Sequence, residues 1–281
     1  MPIGFLTDAQ RRSYGRFNGE PTSDQLARYF HLDDADLNIV GERRGDHNRL
    51  GFAVQLCTVR FLGTFLENLS ETAPGAVAFL GRQLGLQDPS VFSNYCLSEA
   101  RWDHATEIRS RYGLREFTDP SARFRLNRWL YALCWTGTDR PSALFDRSVA
   151  WLITHKVLLP GVTVLERHIV RIRTRAQERV WLRLTQAVSA ETKAKLEALL
   201  MVPEEGHVSM LDRLRKGPFL RSAPELVRAL RRIDDVRGLG INLSVSSRVP
   251  PTRVQALVAV ESWCTFVATP RCRDRGRFHE N

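Results

Sequence analysis

Apolar residues recur three and four positions apart along most of the chain, and alternating runs of β-branched residues are nearly absent. This spacing places apolar side chains on one face of a helix, so we predict an all-α fold. Thr7, Thr22 and Asp33 each stand where a helix N-cap is expected, which predicts three short helices. A longer helix is predicted over 46–66. Its apolar stripe consists of Leu50, Ala53, Cys57 and Phe61.

The rest of the chain has helix starts and stops of its own. A helical pattern over 95–112 ends at Gly113, and the periodicity resumes at Ser121. After a break at Pro160, Thr163 and Glu166 have the spacing of a capping box. A long helix is therefore predicted from 164 to 187.

These patterns predict two consecutive helix-turn-helix-like modules, because short helices leading into longer ones are typical of that packing. The first module covers residues 1–120 and the second covers residues 121–257. Residues 258–281 diverge from the preceding pattern, and we expect them to form a disordered tail.

The charge of the chain points to a polyanionic partner. Lys and Arg total 41 and Asp and Glu total 31, which gives a net charge of +10 and a pI of about 9.9. Only four of the 41 cations are lysines, and guanidinium groups form paired hydrogen bonds with phosphates and with guanine edges. Double-stranded DNA is the predicted partner, with arginine-rich coding in a GC-rich genome as the alternative explanation.

Several other classes of protein are disfavoured by the sequence. The five cysteines are odd in number and form no C-x-x-C pair, so we expect neither a metal site nor disulfides. The amino terminus lacks a secretory pattern, and the most apolar run, 52–66, is too short and too polar for a membrane span. We expect a cytoplasmic protein that associates with the nucleoid when it is bound to DNA.

Arginines recur every four residues in the long predicted helix. They are Arg167, Arg171, Arg175, Arg179 and Arg183, and they flank an apolar stripe made by Leu165, Ile169, Ile172, Ala176 and Val180. Like charges stacked in this way repel one another, so a phosphate backbone would stabilise them. The alternative is a solvated charged face whose partners lie on another helix.

A second basic cluster lies at the start of the helix predicted over 46–66. Arg43, Arg44, His47, Asn48 and Arg49 combine residue types that recognise guanine, adenine and phosphate. The alternative is an ordinary helix start in which Asp46 satisfies the first turn.

The sequence offers no convincing catalytic centre. Asp33, Asp34 and Asp36 cluster, but acidic residues in the first turn of a helix complement its dipole. No nucleophile, phosphate-loop or zinc-protease motif occurs, and the seven histidines lack ligand spacing. We expect no catalytic residue and no cofactor in this chain.

Long stretches of the sequence resemble the amino-terminal region of the class II, Tn-three type, replicative transposases. The resemblance is carried by Phe5-Leu-Thr, Gly15-Arg-Phe, Asp24–Asp36, Arg43–Gly63, Phe124–Leu133, Lys156–Arg167 and the segments from Leu211 to Val249-Pro-Pro. It covers about nine-tenths of the chain.

The resemblance implies helical domains that recognise the terminal inverted repeats of a transposable element. It also implies that the family's Mg²⁺-dependent strand-transfer domain lies downstream of this chain. Residues from Val258 onward depart from the family pattern, which suggests a frameshift, a premature stop or a decayed copy. The cluster over 43–49 would contact one part of the repeat, and Arg167, Arg171, Arg175 and Arg179 would contact another.

Two other functions are compatible with the sequence. The chain could be a protein-interaction fragment that associates and interferes with full-length transposase. It could also be a nuclease that depends on Asp33 or Asp34, which the absence of motifs disfavours.

Overall fold

The computed structural model describes residues 4–186, 188–204, 206–215, 222–240 and 249–255. Within these ranges the regular structure is helical and no strand occurs, apart from an isolated parallel bridge between Arg115 and Val157. The predicted all-α fold is confirmed. The tail expected over 258–281 lies outside the described residues.

The α-helices, in chain order, are α1 (Asp8–Ser13), α2 (Ser23–Tyr29), α3 (Asp34–Gly41), α4 (Asp46–Leu62), α5 (Pro74–Gln83), α6 (Phe92–Cys96), α7 (Ala100–Tyr112), α8 (Pro120–Thr136), α9 (Pro141–Thr154), α10 (Val162–Gln186), α11 (Ala190–Ala198), α12 (Met210–Arg215) and α13 (Ala223–Gly238). Single 3₁₀ turns occur at Leu69–Glu71 and Pro89–Val91, and residues 251–255 are also helical.

Some predicted boundaries were wrong. The helix predicted over 46–66 ends at Leu62, because Gly63 takes the left-handed conformation (φ 77°) and caps α4. The helix predicted over 95–112 is divided into α6 and α7. The predicted N-caps Thr7, Thr22 and Asp33 all accept the expected backbone hydrogen bonds and form capping boxes.

Two compact units are present. The first unit contains the chain up to Leu133 together with Asp139–Thr174, and the second unit contains Cys134–Thr138 and the chain from Arg175 onward. The division falls inside α10, whereas the boundary predicted between the DNA-binding modules is at residue 120. The two compact units do not show which residues bind DNA, so the two DNA-binding modules remain a prediction.

Helix α4 is the centre of the first unit, where residues 50–59 are buried all round. Helices α2, α3, α5, α6 and α7 pack against it. Gly51 allows this close packing, since a Cβ there would lie 2.1 Å from Cγ of Tyr95. The Tyr95 hydroxyl accepts a hydrogen bond from Gln55 Nε2 at 2.7 Å and lies 2.9 Å from Nδ1 of His104.

An ion pair between a buried carboxylate and a partly exposed arginine fastens α3 to α4. The Asp36 side chain is 2% exposed, and both of its oxygens accept hydrogen bonds from Arg60 at 2.7 Å. The Tyr112 hydroxyl of α7 donates to the same carboxylate at 2.7 Å. Burial alone would raise the pKa of Asp36, but the hydrogen bonds from Arg60 and Tyr112 outweigh it and hold the pKa below its usual range.

The second unit is built around the carboxyl-terminal half of α10. Ala176 and Val180 of α10 are buried there, as are Leu199 and Val249. Thr252 donates a hydrogen bond to the carbonyl of Thr136 at 2.7 Å, which connects residues 251–255 to the end of α8.

Candidate nucleic-acid interface

The first candidate region is the corner between α3 and α4, which contains the predicted residues 43–49. Gly45 turns the chain with φ 81°, and α4 begins at Asp46. A Cβ at Gly45 would lie 3.1 Å from the His47 ring, so this turn favours glycine for its conformation and for space.

Arg43 is tightly paired at this corner. Its guanidinium donates to Glu107 Oε1 at 2.6 Å and lies 4.8 Å from the centre of the Phe52 ring, and its side chain is only 16% exposed. Arg111 pairs with Glu107 and with Glu42, each at 2.8 Å. Two acids therefore balance two arginines, and Arg43 is used to attach the corner to α7.

The other four predicted residues of the corner differ in exposure and pairing. Arg44 is exposed and forms no ion pair with the described residues. Asn48 donates through Nδ2 to the Arg44 carbonyl at 3.0 Å, while its Oδ1 has no hydrogen-bond partner. Arg49 is 3.4 Å from Asp46, and His47 is partly buried. Arg44 and Arg49 are thus the charges that the corner offers to a ligand.

The second candidate region is α10, whose predicted pattern is confirmed. Each of the five stripe residues is at most 5% exposed. They are Leu165, Ile169, Ile172, Ala176 and Val180. The arginines on the other faces are all exposed; they are Arg167, Arg171, Arg173, Arg175, Arg179 and Arg183.

The arginines of α10 lack acidic partners within the described part of the chain. In the first unit, Arg167 forms no ion pair, and Arg171 donates only to Nδ1 of His168 at 2.9 Å. In the second unit, Arg175 and Arg179 form no ion pair either. The alternative of a charged face neutralised by another helix therefore finds no support among these residues.

His168 shows that α8 adds positive charge next to α10 in the first unit. Its side chain is buried, and its ring lies edge-on to Phe117 at 5.5 Å. Burial, reinforced by the charges of Arg171 and of Arg123 on α8, lowers the pKa of His168 to about 4. The imidazole is therefore neutral at physiological pH and accepts the hydrogen bond from Arg171.

Helix α8 carries basic residues that were not assigned to the site from the sequence. Arg123, Arg125 and Arg128 are exposed and form no ion pair with residues that the structure describes. The available signal was their position off the buried stripe of Ala122, Leu126 and Leu130. The proximity of Arg123 to His168 of α10 could not be read from the local pattern.

The capping box predicted at Thr163 and Glu166 was wrong. Helix α10 begins at Val162, and the amides of Val164 and Leu165 donate to the Gly161 carbonyl. Glu166 is completely buried and accepts a hydrogen bond at 2.9 Å from Arg11 of α1. The acid therefore anchors α1 rather than capping its own helix.

Two further observations concern other kinds of site. No group of three or more His, Cys, Asp or Glu side chains in the described ranges could hold a metal ion. Among the same residues, no helix is long and apolar enough to cross a membrane.

Comparison with known proteins connects this helical, basic chain with transposases. It is 43% identical over 258 residues to the transposase of transposon gamma-delta from Escherichia coli strain K12, covering 92% of this chain and 26% of that protein. It is 29% identical to the transposase of Tn1546 from Enterococcus faecium, over 90% of this chain and 25% of that protein. It is also 31% identical to the transposase of Tn501 from Pseudomonas aeruginosa, over 83% of this chain and 23% of that protein.

The chain thus spans about a quarter of the length of the curated relatives it matches. Residues 5–172 match the family described as a domain of unknown function, DUF4158, and the chain belongs to this family. The resemblance to Tn-three type transposases is confirmed by these relatives.

Proposed function

We propose that this chain binds the terminal inverted repeats of a transposable element, as the DNA-recognition part of a transposase and without catalytic residues of its own. The observation that carries the proposal is the exposed row of arginines on α10, which lack acidic partners among the described residues. The relatives are named as transposases, and the resemblance to the Tn-three type family implies recognition of terminal inverted repeats.

The charge on α10 is suited to a phosphate backbone. Residues four apart in a helix are separated by about 6 Å along its axis, which is shorter than the Debye length of about 8 Å at physiological salt. The arginines therefore repel one another in the free protein. Contact with phosphates replaces this repulsion with attraction and releases counterions from the DNA.

The α3–α4 corner is proposed to supply sequence recognition. Arg44, His47, Asn48 and Arg49 lie at the start of a helix, where side chains and amides reach base edges and phosphates together. Arg43 is proposed to act mainly by holding this corner against α7 through Glu107. These different proposed roles follow from the pairing of Arg43 with Glu107 and from the exposure of Arg44.

The proposal is tested by titrating the purified chain against two labelled duplexes of equal length. One carries the terminal repeat of transposon gamma-delta, and the other carries the same bases in scrambled order. We expect tighter binding to the repeat, with an affinity that falls by roughly three decades between low and moderate salt if about six phosphates are contacted. A flat salt response would refute DNA binding, and equal affinity for both duplexes would refute sequence recognition.

A second candidate function rests on α13 in the second unit. Five apolar side chains of this helix are 47–62% exposed; they are Leu226, Val227, Leu230, Ile233 and Val236. Such a stripe is suited to pairing with the same helix in full-length transposase, which would make the chain an interfering partner.

This candidate is tested by mixing the chain with gamma-delta transposase in the absence of DNA and measuring the mass of the complex. Loss of a mixed complex in Leu230→Glu, but not in Arg231→Glu on the polar side, would support it. Absence of any mixed complex at micromolar concentration would exclude it.

A further inference from the structure

Phe124 on α8 is an aromatic side chain in an unusual setting. It is 68% exposed, while the other phenylalanines of the described residues are buried or partly buried. Its ring makes no aromatic contact with the described residues. The fold of the first unit therefore does not account for an aromatic residue at this position.

The neighbours of Phe124 are cationic. Arg123 and Arg125 flank it in sequence, and Arg128 lies one helical turn further along α8. All three are exposed and lack an acidic partner in the described ranges. Arg123 also extends this positive surface toward Arg171, because both charges act on His168.

Trp102 on α7 provides a contrast within the same unit. It is also exposed, at 59%, but the exposed acids Glu99 and Asp103 are close to it in sequence, and Arg101 lies 4.9 Å from the centre of its ring. A phosphate backbone would be repelled by those acids. Among the described residues of the first unit, α8 is thus where an exposed ring and unpaired arginines occur together. In the second unit, Trp181 of α10 is also exposed, at 48%, beside Arg179.

We infer that Phe124 inserts between two base pairs of the bound duplex from the minor-groove side, while Arg123, Arg125 and Arg128 hold the phosphates around that step. This inference rests on the proposed function and deepens it. Apolar wedges surrounded by cations are one means by which proteins unstack and kink a duplex, because the ring loses its contact with water and the arginines neutralise the adjacent strands. The end of the element would then be bent as well as recognised.

The test uses the full chain and duplexes of the gamma-delta terminal repeat, in which 2-aminopurine replaces adenine at one position at a time. We expect fluorescence to rise at one step when the wild-type chain binds, since unstacking removes quenching. Phe124→Ala should abolish that rise and weaken binding by about ten-fold, whereas Phe124→Leu should keep most of both effects. Trp102→Ala is the matched control and should leave both unchanged.

The outcomes separate this inference from the proposed function. Salt-sensitive binding to the repeat without any 2-aminopurine signal would overturn the wedge and leave DNA recognition standing. An equal signal in wild type and Phe124→Ala would overturn it too, and so would a change in oligomeric mass caused by Phe124→Ala without a change in DNA binding. Absence of binding to either duplex would refute the proposed function itself. Circular dichroism melting verifies that Phe124→Ala is folded, as expected for an exposed residue.

Discussion

Removal of two arginines from α10 should weaken DNA binding by an amount that depends on salt. The double variant Arg167→Ala and Arg175→Ala removes two exposed guanidinium groups that form no ion pair with the described residues. Alanine is a strong helix former, so α10 should be preserved. Any loss of affinity then reports contact with the ligand.

The expected magnitude follows from counterion release. Each phosphate contact contributes a slope of about −0.9 in the logarithm of the affinity against the logarithm of salt concentration, so the double variant should be shallower by about 1.8. If the wild type and the double variant bind equally at 1 M salt, a difference in slope of about 1.8 corresponds to a loss of about sixty-fold in affinity at 0.1 M salt. At 0.3 M salt the loss is about nine-fold.

The assay is fluorescence anisotropy with the labelled gamma-delta repeat over a series of salt concentrations. The matched control is the double variant Arg109→Ala and Arg147→Ala, which also lowers the net charge by two. Both control arginines are paired with acids: the partly exposed Arg109 with Glu116, and the exposed Arg147 with Asp139 at 2.8 Å. If both double variants lost the same affinity and the same slope, net charge alone would explain the binding, and the reasoning from individual arginines would be refuted.

Three further predictions concern stability, and urea denaturation followed by circular dichroism measures all of them. Asp36→Asn should reduce the free energy of unfolding by about 2 kcal/mol, because the hydrogen bonds from Arg60 and Tyr112 lose their charged acceptor; a loss below about 0.5 kcal/mol would contradict this. Gly51→Ala should lower the free energy of unfolding by more than about 2 kcal/mol, because the new Cβ would overlap the Tyr95 ring. Gly41→Ala is the control: its Cβ would have open space, so the free energy of unfolding should be unchanged or higher. The folded pKa of His168 is about 4 against an unfolded value of 6.5, so the unfolded state binds the proton first as the pH falls. Stability should therefore be full above pH 6.5 and decrease by up to about 3 kcal/mol toward pH 4, and His168→Gln should remove most of that decrease.

The helices and their buried faces were largely predictable, because amphipathic periodicity is a local property. The stripe from Leu165 to Val180 is buried as its spacing indicates. The N-caps at Thr7, Thr22 and Asp33 were predictable for the same reason, since the bond joins residues three positions apart. Helix ends were less accurate, as the early stop of α4 at Gly63 shows.

The pairing of charges was not predictable, because it depends on contacts between distant parts of the chain. Arg43 and Glu107 are 64 positions apart, and Arg11 and Glu166 are 155 apart. No local pattern distinguishes Arg43 from Arg44, although one is directed to α7 and the other to solvent. Glu166 matched a capping box in sequence, yet its burial against α1 determines its role.

The structure also refines the argument from composition. A net charge of +10 and a preference for arginine are consistent with DNA binding and with GC-rich coding, and the sequence could not separate the two. Arg11, Arg43 and Arg60 are paired with acids and join helices, whereas the arginines on α8 and on the face of α10 are exposed and lack acidic partners in the described ranges. GC-rich coding raises the arginine content of the whole chain, so it does not explain why some arginines are paired with acids and others are exposed without acidic partners. The unpaired arginines of α8 and α10, of which Arg123 and Arg171 both act on His168 in the first unit, therefore favour a polyanionic ligand as the explanation of the charge.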